Sequence, residues 1–170
     1  MATNPLIISA SARRESDTGA FVQTLFRETP AYTLQLLDYP IDHYRYDGNY
    51  SKEDQFNEVV DRLLTHDTAV FATPVYWYAM SGHLKVLFDR LTDLVTIKKQ
   101  IGRKLAGKRM FLIAVGADEE LPAGFEEPFR RTAAYFDMKF ISTLYCQSYH
   151  VRKRNHEQEM FLSSIRENSI

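Results

Sequence analysis

Short apolar runs alternate with amphipathic stretches along the whole chain. Pro5-Leu6-Ile7-Ile8-Ser9-Ala10 reads as a buried strand. Tyr32 to Leu37, Thr68 to Thr73, Arg109 to Val115 and Lys139 to Tyr145 read as four more, the third stopped by Pro74. The stretches between them carry helical spacing. Thr18 to Glu28 puts Phe21, Val22, Leu25 and Phe26 on one side, and Phe56, Val59, Val60, Leu63 and Leu64 mark a second helix. Leu84, Leu87, Phe88, Leu91 and Leu94 mark a third, with Ser81 as its N-cap. Phe125, Phe129, Ala133 and Phe136 mark a fourth, and about Asn155 to Glu167 forms a last helix with Phe161 and Ile165 inward.

Five strands, each followed by a helix, predict an α/β fold with a parallel sheet and helices on both faces. Apolar strands without period-two alternation fit a sheet covered on both sides. Right-handed crossovers leave few topologies. One is the strand order 2-1-3-4-5, whose ligand crevice lies at the carboxyl ends of strands 1 and 3. Function is then expected in the loops after strands 1, 3 and 4.

Composition narrows this little but usefully. With 170 residues, no repeat, no linker and no break in composition, residues 1–170 read as a single domain. Hydrophobic residues at 45% and charged residues at 25% suit an ordinary globule. No apolar run approaches the ~20 residues of a membrane helix, so no membrane association is expected. A net charge of −1 gives no electrostatic footprint for nucleic acid and argues against a strongly acidic electron shuttle. The single cysteine, Cys146, excludes an internal disulfide and Cys-rich metal ligation within one chain, and buried inert thiol is its default reading. No His/Asp/Glu spacing suggests a metal, and MATNPLIISASARRES does not read as a signal peptide, so a reducing cytoplasm is the expected compartment.

The loop after strand 1 reads Ser9-Ala10-Ser11-Ala12-Arg13-Arg14-Glu15-Ser16-Asp17-Thr18. Hydroxyls flank two arginines and open a helix, whose N-terminus presents free N–H groups and a positive dipole end. That chemistry suits one terminal phosphate. The glycine-rich patterns of dinucleotide and triphosphate sites are missing. The competing reading makes Ser16 or Asp17 a plain N-cap in a polar turn. The loop after strand 3 reads Thr73-Pro74-Val75-Tyr76-Trp77-Tyr78-Ala79-Met80-Ser81-Gly82. Three consecutive aromatics cannot all face one core, so at least one ring is expected at the sheet edge, where it suits a flat conjugated ligand or a subunit interface.

The segment Thr-Pro-Val-Tyr-Trp-Tyr-Ala-Met-Ser-Gly-His-Leu-Lys-Val-Leu-Phe-Asp-Arg, residues 73–90, closely resembles the signature of the NAD(P)H-dependent FMN reductase family of the flavodoxin-like superfamily. The loop at 11–18 resembles that family's phosphate loop, and the order of elements agrees over nearly the whole chain. The resemblance implies a flavodoxin-like three-layer sandwich with FMN bound noncovalently and NAD(P)H as co-substrate. Ser11, Arg13, Ser16, Asp17 and Thr18 would hold the phosphate. Pro74, Val75, Tyr76, Trp77 and Tyr78 would line the isoalloxazine, and Gly116 with its neighbours would close the other side. Two positions depart from the family: Ala12 stands where relatives often have proline, and Asp17 where they often have asparagine. The loop 42–50 carries none of the cysteines of the iron–sulfur branch, which excludes that branch.

Remaining residues divide as follows. His83, near the ring edge, could donate a proton or orient a quinone, but a solvent-facing or interfacial histidine is the favoured reading. Lys98, Lys99, Arg103, Lys104, Lys108 and Arg109 belong to the amino edge and read as a solvated face. Arg152, Lys153 and Arg154 follow strand 5 on the ligand side and are the better candidates for a 2′-phosphate of NADPH, against a plain surface cluster. Asp118, Glu119 and Glu120 would repel a phosphate from their side. Val86, Leu87, Leu94, Val95 and Ile97 make the third helix more apolar than one buried face requires, which predicts a homodimer through it.

The expected function is hydride transfer from NAD(P)H to flavin, then electron transfer to a quinone, a nitro- or azo-aromatic, or free flavin. No catalytic side chain is expected, since the cofactor carries the chemistry. Two other classes stay open: a flavodoxin-type electron carrier, and a flavin-free regulatory or interaction protein on the same fold.

Overall fold

The computed structural model describes residues 4–166. Five parallel strands form one sheet in the order β2-β1-β3-β4-β5. They are β1 (Leu6–Ser9), β2 (Tyr32–Gln35), β3 (Thr68–Pro74), β4 (Arg109–Gly116) and β5 (Lys139–Gln147). β1, β3 and β4 are buried along their whole length, as continuous apolar runs demand of central parallel strands. β2 and β5 lie at the edges and are only partly covered.

The helices are α1 (Asp17–Leu25), α2 (Phe56–Leu64), α3 (Gly82–Arg90), the single turn α4 (Lys99–Gly102), α5 (Glu127–Tyr135) and α6 (His156–Arg166). Alternate strand residues feed two cores. Ile7, Val70, Ala72, Phe111 and Ile113 meet Phe21 and Leu25 of α1 and Phe161, Leu162 and Ile165 of α6. Ile8, Ala69, Phe71, Met110 and Leu112 meet α2, α3 and α5 on the other face. Three layers result, with two helices against one side of the sheet and three against the other.

Several expected boundaries move. The first helix ends at Leu25, capped by Phe26, rather than running to Glu28. β2 stops at Gln35 and the chain turns through a 3₁₀ segment, Leu36–Asp38. The third helix ends at Arg90 and continues as a 3₁₀ turn, Leu91–Leu94. α5 starts at Glu127, with Phe125 in the preceding turn. Glu167, the expected end of the last helix, lies outside the described residues.

The surplus apolar face inferred for the third helix is smaller than its sequence suggested. Leu87 and Leu94 belong to the chain's own core. Ile97 is exposed, while Val86 and Val95 are half-buried. The turn after Arg90 rotates Leu94 inward, where a continuous helix would have carried the stripe round to the surface.

One polar assembly was not foreseen. The side chain of Arg90 is buried on α3. Its Nη1 and Nη2 donate to the Asp54 carboxylate at 2.6 and 3.0 Å, and its Nε donates to Asp93 at 3.1 Å. Nη1 also reaches the Asp42 carbonyl, and the guanidinium lies 3.4 Å from the Tyr50 ring centroid. Tyr50 donates to Asp93 at 2.9 Å, and the Asp42 N–H to Asp54 at 2.8 Å. This knot pins the long connection between β2 and α2 against α3. Burial raises the Asp54 carboxyl pKa, but the hydrogen bonds and charge of Arg90 outweigh it, and the group is held below its ordinary value.

Candidate active site

At the carboxyl edge β1 delivers the chain into residues 10–16. Ser16 caps α1, its hydroxyl accepting from the Gly19 N–H at 3.1 Å. The plain capping expected as the alternative is therefore real, and it leaves the hydroxyl hydrogen of Ser16 free to donate. Ser11 is buried and its Oγ finds no partner; Ser9 Oγ is in the same condition. A buried hydroxyl without a partner costs ~1–3 kcal/mol, so such groups at a helix N-terminus fit an arriving anion. Thr18 is buried in the first turn, beside exposed Asp17. The two arginines part company. Arg14 forms an exposed ion pair with Asp38, while Arg13 is exposed and makes no ion pair.

β3 delivers the aromatic loop. Its ends are tied together, because Thr73 Oγ1 accepts from the Ser81 N–H at 3.0 Å. Ser81 Oγ donates to the Ala10 carbonyl and also accepts from the Leu84 N–H. One hydroxyl thus joins the loop after β1 to the start of α3, confirming Ser81 as the N-cap.

Within the loop, Tyr76 and Ala79 exchange backbone hydrogen bonds of 2.9 and 3.0 Å. Trp77 and Tyr78 between them have φ of 48° and 64°. Two consecutive left-handed residues make a turn that normally recruits Asn-Gly, and aromatics there cost ~1–3 kcal/mol each. The geometry stands all three rings out of the core, Trp77 being 92% exposed. The Val75 N–H is spent on the Val115 carbonyl and the Tyr76 N–H on Ala79, whereas the Trp77 and Tyr78 N–H groups remain available to a ligand edge.

The opposing side begins at Gly116, the last residue of β4. A Cβ there would sit 2.7 Å from the Tyr145 hydroxyl and 3.2 Å from Val75 Cβ. That hydroxyl donates to the Asp118 carbonyl at 2.7 Å, and Gln147 Nε2 reaches the Ala117 carbonyl at 3.4 Å. Side chains of β5 therefore hold the backbone that follows β4. Neither Tyr145 nor Gln147 stood out in the sequence, since their position beside Gly116 follows only from the β4–β5 register.

Other expectations divide. His83 is exposed on α3, in line with the solvent-facing reading. Burial, with the Glu157 carboxylate adding to it, pushes the Cys146 thiol up to about 11, so it stays protonated near neutral pH, as an inert thiol should. The amino-edge cations are not all a solvated face. Lys108 donates to the Leu64 and His66 carbonyls behind α2, and Arg109 to the Ser164 and Ile165 carbonyls near the end of α6. Arg154 is withdrawn from phosphate duty, because it pairs with Glu159 and caps the Thr24 and Leu25 carbonyls of α1. No group of potential metal-ligating side chains occurs among the described residues, and no helix of the described residues is long and apolar enough to cross a membrane.

The unpartnered Ser11 hydroxyl, the free Arg13, the capped start of α1 and the raised aromatic turn together fit FMN, with its single phosphate at one end and its flat ring at the other. Known proteins agree. The sequence model of the NADPH-dependent FMN reductase family matches residues 3–150. A Bacillus subtilis (strain 168) protein, provisionally named NAD(P)H-dependent FMN-containing oxidoreductase YwqN, is 26% identical over 119 residues, 66% of each chain. The FMN-dependent NADH:quinone oxidoreductase 2 of Pseudomonas fluorescens (strain Pf0-1) is 29% identical, over 80% of this chain and 84% of its own. Among solved structures, general stress protein 14 of Treponema denticola, in complex with FMN, superposes with a TM-score of 0.67. It shares 16% identity, over 96% of this chain and 99% of its own, and so supports the fold. The chain therefore belongs to the NADPH-dependent FMN reductase family, flavodoxin-like FMN-dependent oxidoreductases that draw on NAD(P)H.

Proposed function

We propose that this protein oxidises NAD(P)H and reduces a small aromatic acceptor, a quinone, a nitro- or azo-aromatic or free flavin, with FMN as resident cofactor. The observation that carries the reading is the pairing, across one crevice, of buried unpartnered hydroxyls with a turn that lifts three aromatic rings. Bound FMN supplies a ring that takes hydride from a nicotinamide and gives up electrons in one or two steps.

The chain binds and orients. Ser11 and Ser16 hydroxyls donate to phosphate oxygens, Arg13 adds planar charge, and the N–H groups of Asp17 and Thr18 at the start of α1 complete the cradle. The exposed Asp17 carboxylate points to solvent in this arrangement, with only its backbone facing the anion. Tyr76, Trp77 and Tyr78 border the ring, the Trp77 and Tyr78 N–H groups are free to bond its polar edge, and Pro74 and Val75 form the apolar floor. Gly116 admits the ring's other side because it has no Cβ. No side chain need move a proton in the hydride step.

The exposed rings favour an acceptor that is itself flat and aromatic, since stacking on them is the interaction they offer. The apolar patch left by Val86, Val95 and Ile97 is small, and we propose that a second copy covers it and the aromatic turn together. A reducing cytoplasm suits the single unpaired thiol of Cys146. The deciding experiment is a visible spectrum of FMN-loaded protein mixed anaerobically with NADH or NADPH. Bleaching of the flavin band supports the enzyme. A bound flavin that neither donor bleaches would point to an electron carrier, and protein that takes up no FMN would refute the reading.

A further inference from the structure

A second cleft, of about 570 Å³, adjoins the flavin crevice, between the loop after β4 and the segment joining β5 to α6. Its sides differ in charge. Glu119 and Glu120 come from the loop after β4, directly beyond the Gly116–Asp118 backbone that Tyr145 holds. Lys153 and the first turn of α6 come from the other side, with Glu157 in that turn. Arg154 also borders the cleft, but its charge is spent on Glu159 and on the end of α1. Three carboxylates therefore face one uncommitted cation.

A second observation points to a ligand. Gln158 lines the cleft and is 97% buried, from an exposure of 3%. Its Nε2 donates to the Lys153 carbonyl at 3.0 Å, which fixes the orientation of the amide, and its Oε1 has no partner. A buried acceptor without a donor is costly, and an amine or amide hydrogen from a ligand would satisfy it.

These features match an adenine nucleotide. Lys153 and the unspent N–H groups of His156 and Glu157 suit a diphosphate, although the Glu157 carboxylate offsets part of the positive end of α6. Gln158 Oε1 suits the exocyclic amine of adenine. A carboxylate suits a ribose 2′-hydroxyl and repels a phosphate in the same place. We infer that this cleft receives the adenine-nucleotide half of the nicotinamide donor, and that Glu119 and Glu120 select NADH over NADPH. The inference rests on the FMN–NAD(P)H reading and adds to it the choice of donor and where that donor sits.

The test uses FMN-loaded protein and two readouts. Stopped-flow reduction is expected to give kcat/KM about tenfold or more higher for NADH than for NADPH. Calorimetry with ADP-ribose and its 2′-phosphate, which cannot reduce the flavin, is expected to show the same order of affinity. Replacing Glu119→Gln and Glu120→Gln together should bring the two ligands, and the two donors, to within about threefold. Lys153→Ala should weaken ADP-ribose about tenfold while the FMN dissociation constant holds. If NADH or NADPH bleaches the flavin but ADP-ribose binding ignores all three substitutions, the cleft assignment is wrong and the enzyme reading stands. A clear preference for NADPH in the wild-type protein overturns the selection claim. If bound flavin is reduced by neither donor, both readings fall.

Discussion

Two polar regions of this molecule are built on opposite principles. Around Arg90, guanidinium, two carboxylates, a phenol and two backbone groups satisfy one another behind α3. At the carboxyl edge, Ser9 and Ser11 keep buried hydroxyls without partners, and Trp77 and Tyr78 keep a left-handed backbone. The first region is saturated and can only hold the chain together. The second carries unmet hydrogen bonds and strain, which a ligand can relieve. Buried polarity alone does not mark a site; unsatisfied buried polarity does.

Substitutions should separate the regions cleanly. The largest effect is expected for Arg90→Ala, which strands Asp54 and Asp93 as buried charges. We expect a loss of ~3–5 kcal/mol in chemical denaturation. The pH dependence follows from Asp54. Its folded pKa lies below the ordinary 3.8, so its contribution to stability is complete above about pH 4 and is lost as pH falls through the folded value. Asp54→Asn should flatten that acid limb in urea titrations between pH 2 and 5.

Gly116→Ala comes next. The new methyl group meets the Tyr145 hydroxyl and Val75, so it should cost ~1–3 kcal/mol of stability and weaken FMN binding together. Ser11→Ala should split the two readouts. Its hydroxyl has no partner to lose, so unfolding should shift by less than ~0.5 kcal/mol. FMN affinity, followed by flavin fluorescence quenching, should fall about tenfold or more, as for a hydrogen bond to a charged group. An equal loss in stability would dissolve the contrast between the regions. The smallest effect is expected for Trp77→Gly, which relieves one left-handed residue and should raise the melting temperature by ~2–4 °C while loosening flavin.

The same contrast explains what could be read from residue order. Continuous apolar runs at Thr68–Pro74 and Arg109–Gly116 announce central strands, and the five-strand topology follows from a handful of crossover rules. Ser81 and Ser16 are legible because capping is local chemistry, bonding residues three apart. The Arg90 knot was not legible, because its partners lie up to 48 residues away. One signal was there: Arg90 falls between Leu87 and Leu94 on the stripe that otherwise faces the core. The left-handed Trp77-Tyr78 turn also escaped, since aromatic residues argue against such a conformation and the surrounding fold imposes it. Leu94 misled for a related reason. A change from α to 3₁₀ winding alters which side a residue faces, and residue types alone do not reveal it.

The Ser81 hydroxyl bridging Ala10 and Leu84 makes the molecule a caliper with a welded hinge. The distance between its jaws is set before any flavin arrives. A riboflavin without its terminal anion leaves one jaw empty, and a bulkier dinucleotide must lodge its second half outside the grip, so length itself becomes a criterion of recognition.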